Sequence, residues 1–588
     1  METIPTQYTW DLEAMFASQE EFDEQMKEAK KLLWELKAME GHICDSIQSF
    51  CSYMDKDELL GCFLEDLVVY AKMSTDVTAS DEAKQKNLAA AMTLMQQASI
   101  ELNFASLELI HHKDTIQTYL AQDVCKDYRF PMYELFRTLP HRLSDEQEQL
   151  LSEVQELTSA AQETFQSFRV EFEPVIVDGK EEFLNGATYH EFLKNKNETV
   201  RKEAFEKYFK EYKRYENVFA NLLVTHAKGQ VFHARQRHYQ SALEASLFQD
   251  EATAELFHNV LDMANKKYHS YLHEYYHMKK ELLHLTEQHV YDIALEMSDD
   301  VQQTYTIEEC FDILYQALQP LGDEYVSLLR KAKEERWIDF YPSKEKRTGA
   351  YSWGTYRSHP YILTNFTGSY ESLSTLAHEL GHSMHSYFSN RANRPMLAGY
   401  KIFVAEVAST VNEILLNRYL LDHTTDEKVK CSILADLMDQ LIGTLYRQPM
   451  FAKFEEQLHT WVQNREPVSS SRLTDYYWKL NQEYFGDAVI VDELQKYGCY
   501  YIPHFYYNFY VYKYTLGMSV ALSFANEILK GNTQPYLDFL HKGGSEPCIE
   551  ELKQAGVDPC KEKVYEDAFT FFKKTMDEFY DIYTSVHK

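Results

Sequence analysis

The pentad His378-Glu379-Leu380-Gly381-His382 sets two imidazoles and a carboxylate at a spacing that suits metal-assisted hydrolysis. On a helix, positions four apart lie about 40° apart around the axis and ~6 Å along it. His378 and His382 can therefore share one cation, and Glu379 can reach a water at that cation. The pattern has a chance rate: at these His and Glu frequencies, roughly one such chain in ten holds it by accident. A third ligand decides between chemistry and a solvated helix face. His385 falls on nearly the same face as His378 but ~10 Å along the axis. That is too far for the same cation, so it is expected behind the ligands or facing substrate.

Three layouts for the third ligand can be tested by counting. A metzincin has Gly three and His six residues after the second His, where this chain holds His385 and Phe388. A thermolysin-like enzyme has Glu twenty residues after it, where this chain holds Ile402. What the chain offers is Glu406, inside the apolar run Ile402 to Ala408. A lone carboxylate is costly to bury, so such a group is paired, protonated or metal-bound. The polar, proline-closed segment Asn390 to Pro395 reads as a turn, and an antiparallel helix pair would carry Glu406 back to the histidines. A place on the exposed stripe of its helix is the plainer alternative. Glu413 lies two turns further on the same face, either orienting a ligating imidazole or standing as an ordinary surface carboxylate.

The elements that must position these residues are helices. Leu373, Ala377, Leu380, Met384 and Phe388 recur at helical spacing beside the pentad, with Ser369 and Ser372 available as caps. With 19 glycines and 14 prolines in 588 residues, breaks are scarcer than the typical ~12%, and the fold class is mainly α. Phe22, Met26, Ala29, Leu32, Leu33 and Leu36 define an amphipathic helix from Glu21 to about Glu40. Residues 58–122 read as two or three more, with a break near Ser80-Asp81. Ser144 to Gln147 is a capping box opening a helix to about Phe168, and Arg169 to Lys180 has the character of a short hairpin. Long helices return over 199–335. Then Trp337–Tyr341, Ala350–Trp353 and Tyr361–Thr364 form short aromatic and β-branched stretches, a small sheet directly before the pentad helix. Its edge can take an extended peptide through main-chain hydrogen bonds. The expected division is an N-terminal helical region, residues 1–200, and a catalytic region, residues 201–588.

A net charge of −33 without any basic block argues against nucleic acid or an anionic membrane as partner. No run approaches the ~20 apolar residues that span a bilayer. The nine cysteines are scattered singly, with no Cys-x-x-Cys spacing, as in a reduced compartment. The start, Met1 to Tyr8, lacks a basic and an apolar region of the secretory kind. A cytoplasmic location is expected, with the sequons at Asn197 and Asn365 unused. The oligomeric state is not legible.

A second chemical element lies late in the chain. Tyr497, Tyr500, Tyr501, Tyr506, Tyr507, Tyr510, Tyr512 and Tyr514 surround His504. An aromatic-rich core helix is the plain reading. Peptide hydrolysis, however, develops negative charge on a carbonyl oxygen, and phenol or imidazole donors stabilise it. Tyr507, Tyr510 and Tyr514 can share one helical face.

His378 to His385, followed by Phe403-Val404-Ala405-Glu406-Val407-Ala408-Ser409, resembles the thimet-oligopeptidase-like zinc peptidases, within them the oligoendopeptidase F branch. Gly349 to Gly354, His359 to Phe366 and Pro503 to Tyr514 are similar to that branch too. The likeness is coarse over most of the chain and specific over 345–415 and 497–517. It implies a large multi-helix zincin fold of two lobes around a deep channel that admits short unstructured oligopeptides. It implies one Zn²⁺ per chain on His378, His382 and Glu406, with Glu379 as general base. His504 with Tyr510 or Tyr514 would support the oxyanion. The expected function is a zinc-dependent endopeptidase of short peptides. The alternatives are a helical zincin carboxypeptidase and a non-catalytic helical peptide-binding protein with a fortuitous pentad.

Overall fold

The computed structural model describes residues 4–298 and 303–587; Met1–Thr3, part of the start searched above for a secretory segment, lie outside the described residues. As expected, the chain is mainly helical, with a two-stranded and a three-stranded sheet among the described residues. It divides into two compact units of three segments each. One unit comprises Met1–Leu139, Gln302–Tyr419 and Phe524–Val557; the other comprises Pro140–Val301, Leu420–Ser523 and Asp558–Lys588. No helix of the described residues is long and apolar enough to cross a membrane.

The first unit opens with the helices Gln19–Lys37, Ile47–Val77 and Glu82–Glu101. All six apolar residues that define the first of them are buried, in one core with Phe50, Leu60 and Leu64. Asp81 ends the break seen in the sequence by accepting the Ala83 and Lys84 N–H groups as a cap. The three-stranded sheet follows the expected stretches, trimmed to Ile338–Asp339, Tyr351–Trp353 and Tyr361–Leu363. Tyr361–Leu363 is central, parallel to Ile338–Asp339 and antiparallel to Tyr351–Trp353. Tyr351–Trp353 is therefore an edge. Between strands the buried Lys346 donates to Asp339 Oδ1 at 2.6 Å and to the Tyr341 carbonyl at 2.8 Å, pinning the loop. The helices Tyr370–Ala392 and Ile402–His423 come next, joined through the short helix Pro395–Ala398.

The second unit is also helical. Ser144 and Gln147 form the expected capping box at the head of Asp145–Ser167, which packs against Glu216–Gln236. The hairpin pairs Val175–Val177 with Lys180–Glu182 around Asp178 and Gly179, both at positive φ. It takes only the last part of the sequence stretch, beginning at Val175. Glu427–Leu441 lies along Glu562–Val586, and Gln448–Gln463 packs against Glu216–Gln236.

Candidate active site

Ser369 caps the pentad helix by accepting the Ser372 N–H at 3.2 Å. On that helix His378 Nε2 and His382 Nε2 stand 3.2 Å apart. Glu406 returns on Ile402–His423 with Oε2 3.5 Å from His378 Nε2 and 3.7 Å from His382 Nε2. Bonds of about 2.0–2.1 Å to one tetrahedral centre would set their ligand atoms about 3.4 Å apart. The triangle fits a zinc-sized cation, and it is the one such group among the described residues.

Electrostatics points the same way. Burial opposes charge on His378, but Glu413 first, then Glu379 and Glu406, outweigh it and raise its pKa to about 9. Burial and the neighbouring His378 push His382 down to about 4. The carboxylates around His378 thus favour positive charge at that imidazole.

Supporting contacts fix each ligand. Glu413 Oε2 lies 3.4 Å from His378 Nδ1, which leaves Nε2 directed at the triangle, and Glu413 Oε1 accepts from Ser374 Oγ at 3.3 Å. His382 bonds the Ala405 carbonyl. Ser409 Oγ donates to Glu406 Oε2 at 3.1 Å. Between the two helices, the buried Asn412 donates to the Ala377 carbonyl at 3.0 Å and accepts from Tyr325 at 2.9 Å.

Glu379 is 7% exposed. Burial raises it to about 7, opposed by His378, raised further by Glu406, and opposed again by the Ser352 N–H. A carboxyl poised near neutrality is matched to taking and returning a proton. Ser352 belongs to the edge strand, and its hydroxyl meets Ser383 at 2.8 Å. Ser352 to Thr355, with Ser386 and Tyr400, help to line a 790 Å³ cavity within the first unit.

His385 does not face substrate. It is 1% exposed, its ring is stacked on Tyr400 at 3.7 Å, and burial pushes it down to about 3. It packs behind the ligand pair.

In the second unit the late aromatic segment differs from the sequence reading. His504 sits in the turn Pro503–Tyr506, and the helix Tyr512–Leu529 begins after Tyr507 and Tyr510. The expected shared helical face therefore does not form. The rings gather all the same: His504 is 5.8 Å from Tyr507 and 6.1 Å from Tyr514, and Tyr510 is 5.5 Å from Tyr514. Between these rings, Asn508 and Phe509 are both left-handed. Burial lowers the His504 pKa.

Sequence reasoning missed four features. Gly381 lets Ile402–His423 approach, as developed below; its signal was a helix-interior glycine, costly without a packing reason. The Ser352 N–H and the Asn412 stitch carry no sequence mark. A second pentad, His273-Glu274-Tyr275-Tyr276-His277, also went unread. On the helix His269–Leu282, its His273 meets the Glu483 carbonyl at 3.1 Å and its His277 meets Asp487 at 3.0 Å. Its Glu274 lies 3.4 Å from Lys573. No ligand set converges on it among the described residues.

A pentad helix beside an edge strand, with a glutamate brought back by the next helix, has the pattern of a helical metallopeptidase. Residues 191–571 match the sequence profile described as Peptidase family M3, and residues 111–171 match that described as Oligopeptidase F. The chain is 36% identical to Oligopeptidase PepF of Bacillus subtilis, with 91% of this chain and 81% of that protein covered. It is 33% identical to Group B oligopeptidase PepB of Streptococcus agalactiae, over 91% of this chain and 90% of that one. A crystal structure of a putative peptidase from Chlamydophila abortus superposes with a TM-score of 0.93 at 31% identity, covering 98% of this chain and 99% of that one. Oligoendopeptidase-F from Enterococcus faecium superposes with a TM-score of 0.72 at 30% identity, over 96% and 99%. The chain belongs to peptidase family M3 and is a metallo-oligopeptidase.

Proposed function

We propose that the metal is zinc, one ion per chain, held by His378, His382 and Glu406. The observation that carries this reading is the triangle of Nε2, Nε2 and Oε2 atoms separated by 3.2, 3.5 and 3.7 Å. Bound there, zinc supplies a Lewis acid that polarises the scissile carbonyl and lowers the pKa of water toward ~7. Glu379 takes the proton from the attacking water and returns it to the leaving amine. The edge strand Tyr351–Trp353 holds substrate backbone by main-chain hydrogen bonds, which tolerates many sequences. His504, Tyr510 and Tyr514 donate to the oxygen on which charge develops.

Substrates are short unstructured oligopeptides cut internally. A peptide library read by mass, with and without chelator, tests this together with elemental analysis of the purified protein. Cleavage of a peptide with a blocked C-terminus separates endopeptidase from carboxypeptidase. Absence of bound zinc with chelator-insensitive cleavage would overturn the metal assignment. Scattered cysteines and the acidic composition support a cytoplasmic site, which fractionation of cells checks.

A further inference from the structure

The late segment depends on a turn that is costly to hold. Asn508 and Phe509 both have positive φ, 51° and 54°. Left-handed backbone is strained for residues other than Gly, and a bulky one there is an outlier. Phe509 is bulky, and Tyr510 follows it directly. Such strain persists where the surroundings over-determine the backbone.

The surroundings are unusual for a core. On the helix Gln448–Gln463, Glu455 is fully buried, and its Oε1 accepts the Phe509 N–H at 2.7 Å. One turn on, the buried His459 bonds the Glu455 carbonyl through Nδ1 at 2.9 Å and sets its ring 4.6 Å from that of Phe509. From Glu216–Gln236, the buried His226 packs 5.2 Å from the Tyr506 ring, beside the Asn508 side chain. Ser246 Oγ donates to the Asn508 carbonyl at 2.7 Å. Glu455 Oε2 and His459 Nε2 reach no hydrogen-bond partner among the described residues. Burial pushes Glu455 up to about 8, opposed by the Phe509 N–H, and pushes both imidazoles down to about 4. Apolar residues of like size would stabilise a core as well or better. Stability therefore does not explain a carboxyl and two imidazoles here; the turn they grip does.

We infer that Glu455 is a positioning residue for peptide hydrolysis: by binding the Phe509 N–H it holds the left-handed turn that sets Tyr510 and His504. His459 packs on Phe509 of the same turn, and His226 on Tyr506 just before it. The inference rests on the oxyanion role proposed for Tyr510 and His504.

The test uses the full chain. Glu455→Gln keeps an acceptor oxygen; Glu455→Met fills the volume without one. Glu455→Met is expected to lose at least ~10-fold in kcat with KM within about twofold, and to keep its metal. Hydrogen exchange at the Phe509 amide should accelerate by ~10-fold or more. Glu455→Gln should restore both readouts to within about threefold of wild type. Ser246→Ala, which removes a bond on the turn without entering the core, should shift both in the same direction and serves where Glu455→Met does not fold. Unchanged exchange at Phe509, or faster exchange with unaltered kcat, would overturn the assignment. The oxyanion reading fails separately: wild-type rates for Tyr510→Phe end it, while the exchange at Phe509 still measures the grip.

Discussion

Gly381 rests directly on the backbone of Ser409. A Cβ at position 381 would stand 2.6 Å from Ser409 Cα and 2.7 Å from the Ala408 carbonyl oxygen. Those atoms are backbone of the helix that carries Glu406 less than one turn earlier, so they cannot yield cheaply. Gly381→Ala is expected to push the helices apart, costing about 1–3 kcal/mol of stability and weakening zinc at least ~10-fold. Urea melts and zinc titration check both, and an unchanged zinc affinity would separate helix contact from metal binding.

Glu413 meets His378 Nδ1 on the side away from the metal triangle. Its removal in Glu413→Ala frees the ring to turn and lowers ligand basicity. Zinc should bind ~10–100-fold more weakly, with KM for peptides little changed once zinc is saturating. Competition with a chromophoric chelator reads the affinity, and an unaltered value would return Glu413 to a structural role.

Glu379→Gln preserves shape and removes the proposed proton carrier. Turnover should fall by at least ~10²-fold while zinc stays stoichiometric. Active-site titration and metal analysis together distinguish this from metal loss.

Tyr510→Phe and Tyr514→Phe each delete one hydroxyl in the cluster around His504. A donor acting on the transition state lowers kcat more than it raises KM, by up to ~10²-fold. Steady-state kinetics on one fluorogenic peptide decides between the two tyrosines, and equal wild-type rates would make both packing residues.

Glu551 gives a pH prediction independent of catalysis. It is 1% exposed on the helix Cys548–Gln554, and burial raises its pKa to about 8, opposed by the Glu546 N–H. Between the unfolded value of 4.5 and about 8, the unfolded chain releases a proton that the folded one keeps. Stability from this group therefore falls as pH rises through that window. Glu551→Gln should lose less Tm than wild type between about pH 5.5 and pH 8, read by calorimetry.

Much of the centre was legible because its determinants are local. Helical spacing relates His378 to His382, and a carboxylate amid Val404, Ala405 and Val407 advertised an unusual need at Glu406. The amphipathic first helix and the capping box at Ser144 are periodic or short-range features of the same kind. What escaped depends on tertiary neighbours. The pentad at His273 has the same spelling as that at His378, yet a carbonyl and a surface aspartate take its imidazoles. Spelling cannot say which helix faces a returning glutamate. The turn at Asn508 and Phe509 was invisible because neither residue favours positive φ strongly enough to betray it; Glu455, more than fifty positions earlier, imposes it.

Each unit is assembled from three stretches, and the polypeptide passes between them five times. During synthesis, the unit bearing the proposed metal ligands must wait for Phe524–Val557, and the other for the helix Glu562–Val586, before either core can close. Emerging from the ribosome, the chain therefore carries unfinished apolar surface until Glu562–Val586 has been made. Deleting Glu562–Val586 should cost solubility in cells, although that helix holds none of the residues proposed to handle peptide.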